Sequence, residues 1–296
     1  MHNPVKGKRP SKTSKGVGKK HRTKGRKDHY LPQGYLRGFI SPSRAGMQKP
    51  LWFFDVRQRT WSEVSTAEIG YEMGFYDYRG PGTPVETPDQ VFAEMERTFP
   101  LILDEMVASN FARWFDHRDF LLRYFQMTRA RSPLFFEQQL AQSKNTQAFE
   151  ILTISEDRRK VQVRPKQLPD TYHKNKAIAD MIAEIQKGVD WLDGFDWALR
   201  YCSDPEDPFI VSDTACVVEG TYPRLEASIF ALPDTLIFFP LCWQACLVGS
   251  RRHFYIKTER FASRDLKTMR QRHRDFATRY IVSPTRFDEW QSPKSE

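Results

Sequence analysis

The chain has 296 residues, of which 40% are hydrophobic and 14% aromatic, and its formal net charge is +9. This length and aromatic content exclude an intrinsically disordered chain and suit one large globular domain or two modest ones. No run of about 18 apolar residues and no apolar export signal is visible, which predicts no membrane partner. Four cysteines without a secretory leader favour a reducing compartment, so we expect a cytoplasmic protein.

The positive charge is concentrated at the N-terminus. Residues 1–27 contain 11 Lys and Arg and no acid, which leaves 35 cations, 37 acids and a net charge of −2 in residues 28–296. A Gly/Ser/Lys-rich segment cannot repay the entropy of ordering itself, so we predict a disordered basic tail over residues 1–27. Such a tail suits a nucleic acid or another polyanion as partner, bound through counterion release. A purely solubilising extension is the alternative.

The first elements follow the tail directly. Pro32 predicts the start of a short helix just after His29, because proline suits the first helical turn. An aromatic run and a polar turn at Arg57–Arg59 predict a β-hairpin over residues 51–65. Residues 88–109 carry apolar side chains at helical spacing, and Pro100 predicts a kink or a restart within that helix.

The middle of the chain has mainly helical periodicity. It predicts helices after Asp116, over residues 133–148 and over residues 173–192, with a continuation over residues 195–201. Residues 151–170 are ambiguous, because Val161 and Val163 alternate with polar residues while the end of the segment is proline-flanked. We therefore place a helical middle over about residues 88–200.

The composition changes after residue 205. Short β-branched or aromatic runs separated by Pro and Gly predict a sheet-rich part over about residues 205–285. A last helix is expected over residues 263–280, followed by a strand. The chain is therefore predicted to be a single α+β domain over residues 28–290. It would have an N-terminal hairpin, a helical middle and a C-terminal, mostly antiparallel sheet packed by the last helix.

Familiar catalytic motifs are absent. The sequence has no phosphate-cradling Gly-rich loop, no HExxH and no GxSxG, so no nucleotide cofactor is predicted. The spacing of the cysteines does not repeat that of a zinc knuckle, and buried structural thiols are the favoured interpretation. These cysteines are Cys202, Cys216, Cys242 and Cys246.

One family resemblance covers roughly residues 28–285. The opening "HYLPQGYLRGF" after Asp28 resembles the "HYVPQ-x-YL-x-x-F" opening of the bacterial domain-of-unknown-function family 4238. The likeness continues through Asp89-x6-Glu96, "QMTRARSP", "FIVSDTACV" and "FFPL". In "QMTRARSP" the register is split: Arg129 keeps the family's distance to Gln126, and Arg131 keeps the distance to Pro133. The resemblance implies a fold and shared polar positions, but no activity.

Those shared positions form a candidate site. We expect Glu96 to project from one helix, Arg129 or Arg131 from the end of the next, and Asp213 from a strand end. The predicted catalytic residues are His29, Glu96, Arg129, Arg131 and Asp213, and the predicted substrate-binding residues are Gln33, Gln126 and Ser212. An imidazole, two carboxylates and an arginine suit metal-assisted or acid–base hydrolysis of a phosphoester or nucleic acid. If a divalent cation binds, Asp213 and Glu96 are its expected ligands.

The alternative hypothesis is a non-enzymatic interaction module with a structural polar set. His29 and Asp213 would then cap the ends of a helix and a strand, and an arginine would form a buried ion pair with Glu96. Gln33 also fits as an ordinary residue of a first helical turn. His273, on the apolar side of the last helix, is predicted to be a satisfied core histidine.

Overall fold

The computed structural model describes residues 26–77, 88–154, 161–219, 230, 232–251 and 258–291. Its helices are α1 (Gln33–Arg37), α2 (Pro88–Ala108), α3 (Arg118–Ala130), α4 (Pro133–Asn145), α5 (Asp170–Gln186) and α6 (Ser263–Phe276). Its strands are β1 (Lys27–His29), β2 (Leu51–Asp55), β3 (Thr60–Val64), β4 (Tyr71–Met73), β5 (Ala148–Ile154), β6 (Val161–Lys166), β7 (Asp196–Tyr201), β8 (Val211–Ser212), β9 (Val217–Glu219), β10 (Leu236–Cys242), β11 (Ala245–Ser250), β12 (Glu259–Arg260) and β13 (Tyr280–Ser283). Among these described helices, none is long and apolar enough to cross a membrane.

Two larger sheets and two short hairpin-like pairs make up the β structure of the described residues. The larger sheets have the strand orders β12-β7-β11-β10-β9 and β3-β2-β13-β8, and the pairs are β1-β4 and β5-β6. The pairing of β12 with β7 is parallel, whereas β7, β11, β10 and β9 pair antiparallel. The α+β class with mostly antiparallel sheets is therefore confirmed.

The hairpin over residues 51–65 forms as predicted, but it does not stand apart from the C-terminal part. Strand β13 pairs with β2, placing Ile281 opposite Phe54, and β8 pairs with the other edge of β13. Both Ile281 and Phe54 are buried, because they pack in a small aromatic core around Trp290. The two ends of the chain therefore complete one sheet.

The helical middle is less uniform than predicted. The hairpin β5–β6 lies between α4 and α5, and residues 196–201 form strand β7 instead of continuing a helix. Between β11 and β12, β7 buries Trp197 and Leu199, so tertiary pairing outweighs the helix propensity of its Ala, Leu and Arg. A side chain on Gly249 would come within 2.7 Å of the Trp197 ring, so the glycine makes room for the indole.

The helix over residues 88–109 is confirmed as α2, but the restart predicted at Pro100 is wrong. Helix α2 continues across Pro100 to Ala108. The proline ring lies against α1, where a Cβ on Gly34 would meet Pro100 Cγ at 3.0 Å. The small residue in α1 thus allows close packing of α1 on α2, which positions the N-terminal segment.

Aromatic rings fill the main core between the helices and the five-stranded sheet. Phe99 stacks on Tyr124 with ring centroids 4.0 Å apart, and Tyr35 stacks on Phe239 at 5.8 Å. The Tyr35 hydroxyl donates to the Pro240 carbonyl at 2.5 Å, which ties α1 to β10. The predicted buried thiols are confirmed, because all four cysteines are free and buried.

Candidate functional site

The segment from His29 to Gln33 joins strand β1 to helix α1. Strand β1 pairs antiparallel with β4, so that His29 lies opposite Tyr71. The next two amides, of Tyr30 and Leu31, both donate to the Gly70 carbonyl, at 2.8 and 3.0 Å. Pro32 is the residue before the first turn of α1, and no side chain caps that turn. His29 is therefore a strand-end residue and not the helix cap of the alternative hypothesis.

A buried guanidinium connects this segment to two helices. Arg131, at the end of α3, donates from Nη1 to Glu96 Oε1 in α2 and from Nη2 to the His29 carbonyl. Its Nε donates to the Tyr76 hydroxyl at 3.1 Å, and its Cζ lies 4.0 Å from the Phe92 ring centroid. Arg131 is 3% exposed. The structure thus shows that Arg131, and not Arg129, accompanies His29 and Glu96.

The electrostatics of this group keep the imidazole neutral. Burial lowers the pKa of His29 below its ordinary value, and the positive charge of Arg131 lowers it further. Burial alone would also lower the pKa of Arg131, but Tyr76 and Glu96 outweigh it and raise that pKa. Near neutral pH the arrangement is therefore a charged Arg131–Glu96 pair beside an imidazole that can accept a proton.

A concavity of about 360 Å³ opens over this ion pair. Its lining residues are His29, Pro32, Gln33, Gly34, Arg37, Glu96, Arg97 and Pro100. Glu96 is 35% exposed, so its carboxylate contacts both Arg131 and the concavity. The Gln33 side-chain nitrogen lies 3.4 Å from His29 Nε2, a long contact that a bound group can replace.

Sequence reasoning missed two residues of this concavity, Arg37 and Arg97. Both guanidinium groups are exposed, and within the described ranges neither has an ion-pair partner. Arg37 lies one helical turn after Gln33, so helical spacing alone could have found it. Arg97 required knowledge of how α1 packs on α2. Together they give the mouth of the concavity a positive charge that the paired Glu96 does not cancel.

The predicted residues Arg129 and Gln126 belong to a separate buried network. Arg129 Nη2 donates to Glu184 Oε1 at 2.5 Å and to Gln126 Oε1 at 3.1 Å. The Gln126 amide donates to the Glu184 carbonyl at 2.8 Å. Burial would raise the pKa of Glu184, but Arg129 holds it below its ordinary value. The prediction that Arg129 and Gln126 join His29 is wrong, because they face α5.

The predicted residues Asp213 and Ser212 also lie apart from the concavity. Asp213 is fully buried and accepts hydrogen bonds from the Thr278 amide, at 3.0 Å, and from the Thr278 hydroxyl. Burial raises the pKa of Asp213. The Ser212 hydroxyl lies 2.8 Å from the Thr214 hydroxyl. Asp213 therefore joins the turn after β8 to the segment that leads into β13, whereas the Ser212 hydroxyl bonds within its own turn. The expected meeting of Asp213 with His29 and Glu96 is wrong.

The two predicted ligands of a divalent cation, Glu96 and Asp213, lie apart in the structure. Glu96 is engaged by Arg131, and Asp213 is held by Thr278 in another part of the fold. In the part of the chain that the structure describes, no group of three or more His, Cys, Asp or Glu side chains could hold a metal ion. The described donor set therefore does not fit a divalent cation.

His273 is a core residue of α6, as predicted, but it is not satisfied. Its side chain is fully buried, and neither ring nitrogen has a hydrogen-bond partner among the described residues. Burial lowers the pKa of His273 to about 3. The apolar surroundings therefore hold the ring in its neutral form, with the cost of two unmatched polar atoms.

Comparison with known proteins bears out the resemblance in the sequence. A family model described as "Protein of unknown function (DUF4238)" matches residues 27–286. Neither the curated proteins nor the solved structures gave a match. Since the family match covers nearly the whole chain, including every residue of the concavity, the chain belongs to the DUF4238 family of proteins of unknown function.

Proposed function

We propose that the chain binds the phosphoryl group of a phosphoester in the concavity beside α1 and hydrolyses it by acid–base catalysis. The observation that carries this proposal is the placement of a neutral imidazole and two unpaired guanidinium groups around one opening. Arginine is suited to a phosphate because its planar fork presents parallel N–H donors. The negative charge of Glu96 is compensated by Arg131, so it does not repel an anion strongly.

Each residue has a defined role in this proposal. Arg37 and Arg97 bind the phosphate oxygens, and His29 accepts a proton from an attacking water. The water oxygen forms a bond to phosphorus while the bond from phosphorus to the leaving oxygen breaks. The imidazolium of His29 then returns the proton to the leaving oxygen, so the residue ends the cycle neutral. Arg131 does not contact the substrate. It positions His29 by donating a hydrogen bond to the backbone carbonyl of His29.

Phosphate binding and turnover can be tested separately on the full chain. We expect inorganic phosphate to bind, as measured by calorimetry, and the R37Q/R97Q double variant to lose at least about tenfold in affinity. R123Q, which removes an exposed arginine of α3 outside the concavity, should bind normally. For a chromogenic phosphodiester, H29Q should lower kcat by roughly 10²-fold or more. The rate should rise with pH through a pKa below 6.5 and then level off, because only neutral His29 accepts a proton.

Some results would favour the non-enzymatic interaction module. A specific observation supports that alternative: the donors of Arg131 are used to join β1, α2 and the segment at Tyr76. Phosphate binding that is unaffected by R37Q/R97Q, or hydrolysis that is unaffected by H29Q, would refute the enzymatic proposal.

The basic tail completes the proposal as an arm that attaches to a nucleic acid or another polyanion. Residues 1–27 carry 11 cations. The predicted disorder over residues 1–27 is wrong for Lys27, because that residue pairs in strand β1, and residues 1–25 lie outside the described residues. Deletion of residues 1–25 should therefore abolish salt-sensitive binding to a labelled oligonucleotide and leave the folded part intact. The measurement is fluorescence anisotropy over a range of salt concentrations. Equal affinity and an equal salt slope before and after the deletion would contradict this role.

A further inference from the structure

Helix α6 carries a row of cations on its outer side. Arg264, Lys267 and Arg274 are spaced by three and seven residues, which places them on one helix face. Arg264 and Lys267 are exposed and Arg274 is half-buried, whereas Leu266 and Met269 point into the core. Within the described ranges, none of the three cations has an ion-pair partner. Their charge is therefore available to a ligand.

The remaining charges of α6 do not cancel this row. Arg270 and Arg272 each form an ion pair with an acid outside the helix, at 2.5 Å. The acids of α6 are Asp265 and Asp275, and Asp275 accepts a hydrogen bond from Gln271 at 2.8 Å. The small net charge of the chain after its basic tail thus hides a local positive surface.

A fourth cation comes from the turn between β2 and β3. Burial lowers the pKa of Arg274 below its ordinary value, and the nearby positive charge of Arg59 lowers it further. Asp275 and Glu289 offset this only in part. Arg59 has φ +56°, a left-handed backbone conformation that is costly for a residue with a side chain. The fold therefore keeps a like charge close to Arg274 from a strained turn position, and an anion bound between the two would remove their repulsion.

The indole of Trp61 lies beside these cations. It stacks on Trp290 with ring centroids 5.6 Å apart, and Arg274 Cζ lies 5.5 Å from the Trp290 ring centroid. The Trp61 Nε1 donates to the Phe287 carbonyl at 3.1 Å, which fixes the ring. Trp290 is buried, whereas Trp61 remains partly exposed. A fixed aromatic ring beside a row of cations is the combination by which proteins bind single-stranded nucleic acids.

We propose that Arg59, Trp61, Arg264, Lys267 and Arg274, here called the α6 basic surface, bind single-stranded nucleic acid, with phosphates along α6 and a base on Trp61. The outer face of α6 presents no exposed apolar side chain that could enter a lipid bilayer, which disfavours a membrane. Four cations make few phosphate contacts, so the surface alone binds weakly. The inference therefore rests on the proposed arm, which holds the same strand and raises its local concentration.

The arm joins the fold close to this surface. Arg279 donates to Glu72 of β4 at 2.9 Å, and Glu72 lies opposite Asp28 of β1, the strand that follows the arm. The Arg279 carbonyl accepts a hydrogen bond from the Val56 amide at 3.1 Å, in the turn that carries Arg59. Direct contacts thus connect the end of the arm to the α6 basic surface, so one nucleic-acid strand can reach both.

Fluorescence anisotropy of a labelled oligothymidylate with the full chain tests the charged part of the surface. R264Q/K267Q/R274Q removes three phosphate contacts, so we expect the slope of log affinity against log salt to flatten by about 2. The affinity at low salt should fall at least about tenfold.

Two control variants separate this surface from a general effect of charge. R264K/K267R/R274K keeps the three charges and should bind as the wild type does. R118Q/R123Q/K144Q removes three cations of α3 and α4, which lie outside the surface, and should leave the salt slope unchanged.

A base-free probe tests the role of Trp61. A deoxyribose-phosphate strand of the same length carries the charge of the oligothymidylate but no bases. The wild-type chain should bind the oligothymidylate at least about fivefold more tightly, and W61L should lose this preference. Residues 1–27 contain no Phe, Tyr or Trp, so the arm cannot supply the stacking. Because the two affinities are compared on one protein, partial unfolding of W61L cancels.

Several outcomes would overturn the α6 basic surface. An unchanged salt slope in R264Q/K267Q/R274Q would do so, as would equal flattening in R118Q/R123Q/K144Q. A base-free strand, polyglutamate or anionic vesicles bound as tightly as the oligothymidylate would show that any polyanion suffices.

The surface and the arm fail in different ways. If deletion of residues 1–25 leaves binding unchanged while R264Q/K267Q/R274Q weakens it, the arm is wrong and the surface stands. If the deletion abolishes binding and R264Q/K267Q/R274Q has no effect, the surface alone is wrong.

Discussion

At the residue scale, Arg131 connects the chain segments around His29. Its guanidinium is buried, charged and bonded to groups from three separate segments. Arg129, two positions earlier, is also buried and ion-paired, but with Glu184 of α5. The two arginines therefore stabilise different parts of the fold. Of the two, Arg131 is the one bonded to His29 and Glu96, which line the concavity.

Replacement of Arg131 should be costly. R131M leaves the Tyr76 hydroxyl and the His29 carbonyl without their donor, so we expect a loss of roughly 3 kcal/mol in the free energy of unfolding. E96Q should lower the free energy of unfolding by less, because Glu96 is 35% exposed and water compensates the loss of its charge. Urea denaturation at neutral pH measures both changes. A value for R131M no larger than that for E96Q would contradict the structural role of Arg131.

At the element scale, one glycine carbonyl positions the segment between β1 and α1. Gly70 has φ +71° and accepts hydrogen bonds from the Tyr30 and Leu31 amides. A Cβ at this position would lie 3.0 Å from both Cβ and O of Leu31. The glycine is therefore required twice, for its left-handed backbone and for the close approach of the segment that carries His29.

Two glycines of similar backbone allow a matched comparison. Gly46 also has positive φ, +87°, but a Cβ there would meet nothing within 4 Å. We expect G46A to lower the free energy of unfolding by about 1 kcal/mol, from backbone strain alone. G70A should lose an additional 1–3 kcal/mol, approximately the cost of overpacking. Equal losses in urea denaturation would show that the segment can move away from Gly70.

At the scale of the whole molecule, the buried His273 couples folding to pH. Its pKa is about 3 in the folded chain, against an ordinary value of 6.5. Between these two pKa values the unfolded chain therefore binds a proton at His273 that the folded chain does not bind. As a result, stability falls as the pH is lowered from about 6.5 towards 3. The slope of this contribution is about 1.4 kcal/mol per pH unit. The lowered pKa of His29 acts in the same direction.

A variant isolates the contribution of His273. H273L should make the free energy of unfolding less dependent on pH, by about 2 kcal/mol between neutral pH and about pH 5. Denaturant titrations at the two pH values measure the difference. H29Q serves as the control for the half-buried imidazole, and its effect on the slope should be smaller. An unchanged slope in H273L would contradict the neutral, unpartnered state of the ring.

Local patterns were sufficient for several elements. The apolar period of residues 88–109 predicts α2, and the aromatic run with its polar turn predicts β2 and β3, because both signals arise from neighbours in sequence. Residues 196–201 form a strand where the local pattern predicts a helix, because their sheet neighbours β11 and β12 are distant in the chain. The α+β class and the four buried thiols likewise followed from composition and spacing.

The candidate site shows the limit of the same reasoning. Positions two residues apart on a helix point about 200° apart, so Arg129 and Arg131 leave the end of α3 on different sides. The sequence alone determined that polar groups with acid–base and anion-binding chemistry are present in the chain. Only the tertiary structure decided which of them meet: α1 packing on α2 brings Arg37 and Arg97 to His29. Asp213 is instead buried near the start of β13, where its carboxylate accepts a hydrogen bond from the Thr278 amide.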